Sequence, residues 1–416
     1  MFKQLIGELG AACDFSVFST FGDWFKNISI NGVIMLIMMI FMLIGAWDKI
    51  QGNKRGYGEK FEDGINAMGP LAMSMAGVVA AAPVLSLILS PIVVPLYSLL
   101  GADPSMFATT LLACDMGGYP LAMKMASSEA IGNYAGLLLG TMMGPTIVFT
   151  IPVALGIIKE EDRSYLGAGV LAGLITIPIG CIAGGLIMMI MKSTEPVITI
   201  GEILVNQIPV IIIAGLIVAG LWFIPDKMIS GFNAFGNGVT IVITALTAIA
   251  IFEYETGMWL PLFDQMVDAE KTDGVCGLES GLLCCGQIAI VLAGAYPMVE
   301  WITRTFGEAL GKIGEKLGMN DVGSAGLVST LANNIATFNI LDGMNPKGKL
   351  LNVAFAVSAA FTFGDHLGFA AGNNANMITP MIVGKLVAGI TALIVANILA
   401  PKLLEKVEAS IAKMKK

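Results

Sequence analysis

Long apolar stretches constrain this 416-residue chain more than any other feature. Residues 30–47 and 203–224 contain no charged side chain, and each approaches the roughly 20 residues that a helix needs to cross a bilayer. Hydrophobic residues make up 56% of the chain and charged residues only 13%, whereas a soluble domain carries about 25% charged residues. The sequence therefore predicts an all-α polytopic membrane protein whose main partner is the lipid bilayer.

The remaining composition disfavours several other classes of protein. The six cysteines lack the paired spacing of a zinc site or a secreted disulfide framework, so we expect them to pack as small apolar residues. We expect no cofactor, no metal and no nucleic-acid partner, and a homo-oligomer is left open. Near the N-terminus, Phe2, Leu5, Ile6 and Leu9 fall on one helical face. This pattern predicts an amphipathic interfacial segment over residues 1–29.

The chain also contains a distant copy of itself. Asn31 and Gly32 open one apolar stretch, and Asn237 and Gly238 open another. Further matches follow in the same order: Glu62, Gly64 and Gly69 with Glu279, Gly281 and Gly286, Ala82-Pro83 with Tyr296-Pro297, residues 112–115 with residues 331–334, and Ala172-Gly173 with Ala388-Gly389. Each match is weak alone, but their shared order predicts two structural repeats.

A single connecting helix between the repeats would invert the second repeat in the membrane. We place repeat one at residues 30–191, the connecting helix in 192–235, repeat two at 236–401 and a basic tail at 402–416. The loop after the first span is basic and its counterpart is acidic, as expected if equivalent loops lie on opposite faces. The positive-inside rule then places the C-terminus in the cytoplasm. Counting crossings gives four full spans in each repeat plus the connecting helix.

Each repeat contains one further segment that need not cross the membrane. These segments, residues 105–125 and 324–344, are interrupted near their middle by polar residues, glycine or proline. Non-helical backbone at membrane depth is tolerated only where it is buried in protein or lines a watery cavity, so we expect broken or re-entrant helices. Paired interruptions in inverted repeats point to the binding site of a transporter, which we expect where the two segments meet.

Three runs of sequence supply the candidate site. Asp115 lies in the first broken segment, where a carboxylate in an apolar stretch indicates either function or a helix cap. The second segment supplies Asn333 and Asn334, whose amides can bind a cation or a hydroxyl group, or join helices. A third run places Asp365 beside His366, the single histidine of the chain. Asp365 can bind a cationic group, and His366 can titrate near neutral pH or donate a hydrogen bond.

Cys114, Tyr119 and Phe338 complete the candidate pocket. The rings of Tyr119 and Phe338, like those of Phe149 and Tyr296, can face a cation, although each also fits simple packing. Two carboxylates, several amides and flanking rings favour a small organic cation. We expect no Lys or Arg inside this core, which disfavours an anion. The same carboxylates can instead bind sodium or relay protons.

Several long runs resemble the ethanolamine-utilisation membrane protein family known as EutH. They include residues 101–108, 111–118, 140–156, 364–371 and 380–385, and the resemblance covers nearly everything after residue 30. It implies a permease that imports ethanolamine across the bacterial cytoplasmic membrane to supply an intracellular degradation pathway. The predicted inverted repeats favour import by alternating access.

The chemistry of the substrate that the resemblance implies suggests separate roles for the candidate residues. Ethanolamine is a primary amine and is protonated at neutral pH, as a lysine side chain is. We therefore expect Asp115 and Asp365 to hold the ammonium group, and Asn333, Asn334 and His366 to bind the hydroxyl group or shape the pocket.

Other interpretations stay open. A symporter or channel-like pore would use the same carboxylates for sodium or protons, and a membrane sensor would bind the amine without moving it. An intramembrane aspartyl protease would need two aspartates at one site. Thr362 occupies the first glycine position of the motif associated with those proteases, so we expect that the chain is not an enzyme.

Overall fold

The computed structural model describes residues 22–24, 26, 28–271 and 274–414, and every regular element in these ranges is helical. The predicted all-α architecture is therefore confirmed for the part of the chain described. The amphipathic segment predicted at residues 1–29 lies almost entirely outside the described residues.

The first half of the chain begins with three helices that are long or nearly continuous. They are α1 (Ile30–Ile50), α2 (Tyr57–Asn66) and α3 (Met68–Ser98). Shorter helices follow: α4 (Ser105–Leu111), α5 (Gly118–Met125), α6 (Glu129–Asn133), α7 (Met143–Pro145), α8 (Ile151–Ile157), α9 (Arg163–Leu174) and α10 (Ile177–Ile190). Tighter and wider helical turns link α6, α7 and α8 into one interrupted helix.

The second half follows a connecting helix, α11 (Ile200–Phe223). It consists of α12 (Pro225–Thr256), α13 (Gly277–Lys316), α14 (Asp321–Ala332), α15 (Asn334–Asn339), α16 (Pro346–Ala359), α17 (Asp365–Asn373) and α18 (Ile378–Met414). The boundary expected at residue 236 lies inside α12, because that helix begins at Pro225.

The order of elements in the first half recurs in the second. A long helix (α1 or α12) and a second long run (α2 with α3, or α13) precede a broken pair (α4 with α5, or α14 with α15). An interrupted helix follows (α6 to α8, or α16 with α17), and a last long run closes each half (α9 with α10, or α18). The sequence matches and the helix order therefore agree on which elements correspond.

Seven helical runs in the described part are long and apolar enough to cross a membrane, and an eighth arises if α9 and α10, bent by 41° at their junction, count as one span. The sequence predicts nine spans, one more than this number. The difference lies in α16 and α17, which residues 360–364 separate into two pieces of 14 and 9 residues. Neither piece alone reaches the roughly 20 residues of a membrane-spanning helix.

The bundle has an apolar outer surface as well as an apolar interior. Large side chains such as Ile92, Leu216, Ile241 and Ile398 are exposed on its outer helices. Contiguous exposed apolar surface of this kind marks contact with a membrane rather than with water. The multi-pass membrane interpretation therefore agrees with the packing.

The helix ends and loops meet in two groups at opposite ends of the bundle. One group, which we call the basic end, consists of the loops at residues 51–56, 158–162, 317–320 and 340–345. Its contacts include the ion pair of Lys159 with Asp342 at 2.9 Å and a hydrogen bond from Arg304 to the Arg55 carbonyl at 2.8 Å. The hydrogen bond from Lys159 holds the pKa of the Asp342 carboxyl below its usual value.

The opposite group, which we call the acidic end, consists of the loops at residues 99–104, 126–128, 192–199, 257–271, 274–276 and 374–377. Here the Asp103 amide donates to Asn206 at 2.7 Å, and Asn374 donates to Asn133 at 3.2 Å. The two ends differ in charge. Lys54 and Arg55 lie in a loop at the first end, and Lys347, Lys349 and Lys402 lie on helix segments that adjoin it, whereas the acidic loop after α12 lies at the second end.

Candidate functional site

Both of the segments expected to be interrupted contain a break. Helix α4 ends at Leu111 and α5 begins at Gly118, and between them Gly117 has a φ of 89°. This left-handed conformation favours glycine, which has no Cβ to clash with the backbone. Helix α14 ends at Ala332 and α15 begins at Asn334, with the intervening Asn333 extended. The two breaks occupy corresponding positions of the two halves.

Each break packs against a glycine of the interrupted helix that follows it. A Cβ atom on Gly144 would lie 1.9 Å from the carbonyl oxygen of Leu112, and one on Gly364 would lie 2.2 Å from that of Ala332. No side chain fits at either position, since real Cβ atoms do not approach backbone so closely. The backbones of the two interrupted helices therefore lie directly against the two breaks.

The loop at residues 360–364 also satisfies the backbone at the second break. The amides of Phe361 and Phe363 donate to the carbonyls of Thr330 at 3.1 Å and Leu331 at 3.0 Å. The last carbonyls of a helix have no partner within the helix, and unpaired backbone groups are costly inside a membrane. These bonds therefore fix the start of α17, and with it Asp365, beside Asn333.

The breaks border a cavity of about 840 Å³ whose wall includes Asp115, Asn333 and Asp365. A second cavity of about 460 Å³ shares Asp63, Tyr296, Asn333 and Asp365 with the first. The Tyr296 hydroxyl donates a hydrogen bond to the Asp365 carboxylate. The wall of the first cavity thus brings together the half-buried carboxylates of Asp115 and Asp365, the Asn333 amide and the Tyr296 phenol.

Both cavities are bordered by helix segments that lead to the basic end. The wall includes Asp63 and Asn66 on α2, Pro152 and Val153 near the end of α8, and Asn233 and Asn237 in the first part of α12. Lys60 and Glu300 line the second cavity. Because these segments adjoin the loops of the basic end, the site is approached from that end.

A buried polar cluster lies behind Asp115. The Sγ atom of Cys114, a carboxylate oxygen of Asp115 and a ring nitrogen of His366 lie within 4.8 Å of one another. Lys385 is only 1% exposed. Its ammonium donates to the Thr141 carbonyl at 2.5 Å and lies 3.0 Å from His366 Nδ1, which accepts because an ammonium group can only donate.

The expectation that no Lys or Arg lies inside this core was wrong. Lys385 stands alone in the apolar stretch of α18, where the sequence analysis treated it as part of a membrane span. Its aliphatic stem can pack among apolar neighbours while the ammonium reaches a carbonyl and an imidazole. A fixed ammonium beside His366 also disfavours a metal cation in this cluster, because like charges repel strongly in a low dielectric.

The two asparagines of the second break have different surroundings. The Asn333 side chain accepts a hydrogen bond from the Ile335 amide at 2.8 Å and so caps α15, while it also lines both cavities. Asn334 is buried and donates to Thr150 Oγ1 at 2.9 Å. Asn333 therefore faces the cavities, whereas Asn334 joins two helices, the alternative role considered for these amides.

The structure also shows where Asp115 and the two predicted aromatic residues lie. The turns at the first break have Ala113 and Gly117 as their N-caps, so Asp115 does not serve as the helix cap that its sequence allowed. Tyr119 packs edge-on against Phe369, and Phe338 is buried. Within the described part of the chain, the walls of the two cavities include neither Tyr119 nor Phe338.

Three residues at the site were not predicted from the sequence: Asp63, Tyr296 and Lys385. Tyr296 was considered only as one of several aromatics, although it stands in the matched pair with Pro297. Asp63 lies between Glu62 and Gly64, which also recur in the second half. A signal for Lys385 was present as well, since a charged residue inside a membrane segment is a functional hypothesis by default.

Comparison with known proteins identifies the family. The family model described as "Ethanolamine utilisation protein, EutH" matches residues 30–399. The chain belongs to the EutH family. This confirms the resemblance stated from the sequence, and the matched range includes every residue of the candidate site.

Curated EutH relatives match over nearly their whole length. A protein of Listeria monocytogenes (serotype 1/2a, strain 10403S) named "Probable ethanolamine permease EutH" is 52% identical over 381 residues, which is 92% of this chain and 97% of the relative. A protein of the same name from Escherichia coli (strain K12) is 50% identical over 397 residues, covering 90% of this chain and 96% of the relative. The "Uncharacterized protein YxeR" of Bacillus subtilis (strain 168) is 46% identical over 374 residues, with 90% and 96% covered. No solved structure matches the chain.

Proposed function

We propose that this EutH protein is an ethanolamine permease that carries the protonated amino alcohol across the bacterial cytoplasmic membrane. The observation that carries the proposal is that Asp115, Asp365, Tyr296 and Asn333 all line the first cavity. Two carboxylates suit an ammonium group, and the phenol and amide suit a hydroxyl group. The names of the Listeria and Escherichia relatives support the same substrate.

In this proposal Asp115 and Asp365 bind the ammonium group from opposite halves of the chain. Asn333 binds the hydroxyl group, and Tyr296 holds the Asp365 carboxylate toward the cavity. His366 shapes the pocket from behind, because its ring contacts Lys385 rather than the cavity wall. Cys114 is fully buried and contributes packing beneath Asp115.

The proposal includes an inverted arrangement of the two halves. The recurring helix order, joined by the single connecting helix α11, supports repeats of opposite topology whose broken helices are re-entrant. Such repeats transport by alternating access, in which one unit moves relative to the other around a fixed site. The contacts of Gly144 and Gly364 with the two breaks would then be the pivots that hold the site during this movement.

The distribution of charge supports an orientation. Lys and Arg are enriched in cytoplasmic loops, so we assign the basic end and the C-terminus to the cytoplasm. The cavities are bordered by segments at that end, and on this assignment they open to the cytoplasm. The bundle would then be in a conformation that exchanges substrate with the cell interior.

Uptake of labelled ethanolamine into liposomes containing only this protein tests the proposal. We expect saturable uptake that Asp115→Asn and Asp365→Asn each reduce at least tenfold, with Asp342→Asn as a control that removes an exposed carboxylate. Insertion of every variant is checked by size-exclusion chromatography. Absence of uptake under sodium, proton and voltage gradients by folded protein would refute a permease, and binding without flux would favour a sensor. A requirement for a sodium or proton gradient would favour a symporter.

A further inference from the structure

The charges around the cavities can be assigned to partners. Near the basic end, Lys60 lies 2.9 Å from Asp63, and Arg304 lies 2.7 Å from Glu300. These pairs neutralise the charged residues at the cavity mouths. Two carboxylates that line the first cavity, Asp115 and Asp365, have no such basic partner among the cavity-lining residues of the described chain.

Lys385 is a buried basic residue on the Asp115 side of this pair, because its ammonium lies 3.0 Å from His366, which belongs to the cluster with Cys114 and Asp115. It lies beyond the cavity wall, about 10 Å from the start of α18 at the acidic end. The groups that interact electrostatically with its ammonium are Cys114 and Asp115 on one side and His366 on the other. Lys385 itself does not line either cavity, so it affects the site through charge and not by direct contact.

We propose that Lys385 is a specificity-determining residue that leaves the site with one net negative charge, so that it selects small monovalent amines and rejects dications. The net charge is the sum of two negative carboxylates, Asp115 and Asp365, and one positive ammonium, Lys385. His366 and the Cys114 thiol are counted as neutral. This inference rests on the proposed function, which supplies the amine, and extends it by defining which amines are accepted.

The physical reason is the cost of enclosing charge during transport. A site that closes around its substrate removes the substrate from water, and an uncompensated buried charge is strongly destabilising. One monovalent amine brings the net charge of the site to zero. A diamine with two ammonium groups would leave one positive charge enclosed beside Lys385, and like charges at such separations repel strongly when water is excluded.

Two small amines of equal length distinguish the effect of ligand charge from the effect of ligand shape. The monovalent 3-amino-1-propanol and the divalent 1,3-diaminopropane differ only in replacement of a hydroxyl group by an ammonium group. Binding of each to purified protein is measured by isothermal titration calorimetry, so that the result does not depend on flux. For the unmodified protein we expect the diamine to bind at least about tenfold more weakly. Equal binding of the two probes would overturn the proposal without any variant.

Three variants then change the charge in steps. Lys385→Gln gives a net charge of two negative units, and we expect the preference for the monovalent amine to fall at least about tenfold. Asp115→Asn gives a neutral site that binds both probes weakly. The double variant restores one negative unit and should recover the preference. Lys312→Gln, which removes an exposed lysine paired with Glu308, is the matched control.

The outcomes distinguish this inference from the proposed function. If Lys385→Gln binds both probes with the same ratio as the unmodified protein, Lys385 has only a structural role. If Lys385→Gln does not fold, Lys385→Arg and the double variant replace it, and both must retain the preference. Absence of ethanolamine uptake by the unmodified protein contradicts the permease but leaves the ratio of binding constants as an independent measurement.

Discussion

Removal of the Asp365 charge is the most direct test of how the site binds an amine. Asp365 is half-buried at the wall shared by both cavities, and its carboxylate accepts a hydrogen bond from Tyr296. A hydrogen bond to a charged group contributes about 1.5–3 kcal/mol. Since 1.4 kcal/mol corresponds to a tenfold change in affinity, Asp365→Asn should weaken ethanolamine binding about tenfold to a hundredfold.

Tyr296→Phe is the matched variant for this prediction. It removes the hydroxyl donor but keeps the carboxylate charge, so we expect affinity to change by less than about tenfold. Both variants are measured by initial rates of labelled ethanolamine uptake over a range of concentrations, which separates KM from the maximal rate. If folded Asp365→Asn shows the KM of the unmodified protein while Tyr296→Phe raises it, the amine does not bind at Asp365 and the argument is refuted.

Other variants test packing and charge elsewhere in the bundle. Gly144→Ala places a Cβ atom 1.9 Å from a backbone carbonyl oxygen and should lower the free energy of unfolding by about 1–3 kcal/mol or more. Its thermal midpoint should therefore lie below that of the control Gly156→Ala, whose Cβ atom would meet nothing within 4 Å. Equal midpoints would contradict the tight contact. Lys349→Met leaves the buried Asp162 carboxylate without its partner and should lower the free energy of unfolding by about 3–5 kcal/mol. An unchanged thermal midpoint would show that the ion pair is dispensable. Lys159 lowers the pKa of Asp342, so their ion pair stabilises the fold at neutral pH and is lost on acidification. The thermal midpoint of Asp342→Asn should therefore lie below that of the unmodified protein at neutral pH, and the difference should shrink below pH 3.8. A difference that stays constant with pH would contradict a stabilising ion pair.

The features that sequence predicted well are those that the membrane imposes locally. Apolar stretches of bilayer length must be helices, because no water is present to pair an exposed backbone. The breaks near Asp115 and Asn333 were also predictable, since glycine and polar residues there interrupt otherwise apolar segments. Asp365 was identified for the same reason, because a carboxylate in a membrane segment needs a special environment.

The features that sequence missed depend on contacts between distant elements. Tyr296 and Asp365 are 69 residues apart, and no local pattern predicts that they bond. The number of continuous spanning helices is lower than the number predicted, because residues 360–364 interrupt the run of α16 and α17 and pair with the carbonyls of α14. The sequence shows Lys385 as a charged residue in a membrane segment, but it does not show which groups the ammonium contacts. Its carbonyl partner, Thr141, lies 244 residues earlier in the chain.

The two halves of the chain contribute different chemistry from similar backbones. Asp115 lies in the first break, and the matched position at the second break is Asn334, which is buried and bonded to Thr150. Asp365 follows the glycine that contacts the second break, and the residue after the equivalent glycine is Pro145. A symmetric pair of carboxylates at either matched position would present the same group to both ends of a substrate. An amino alcohol instead has an ammonium group at one end and a hydroxyl group at the other. A site that binds it needs unequal side chains to distinguish the two ends, while the similar backbones of the two halves hold the two breaks in place.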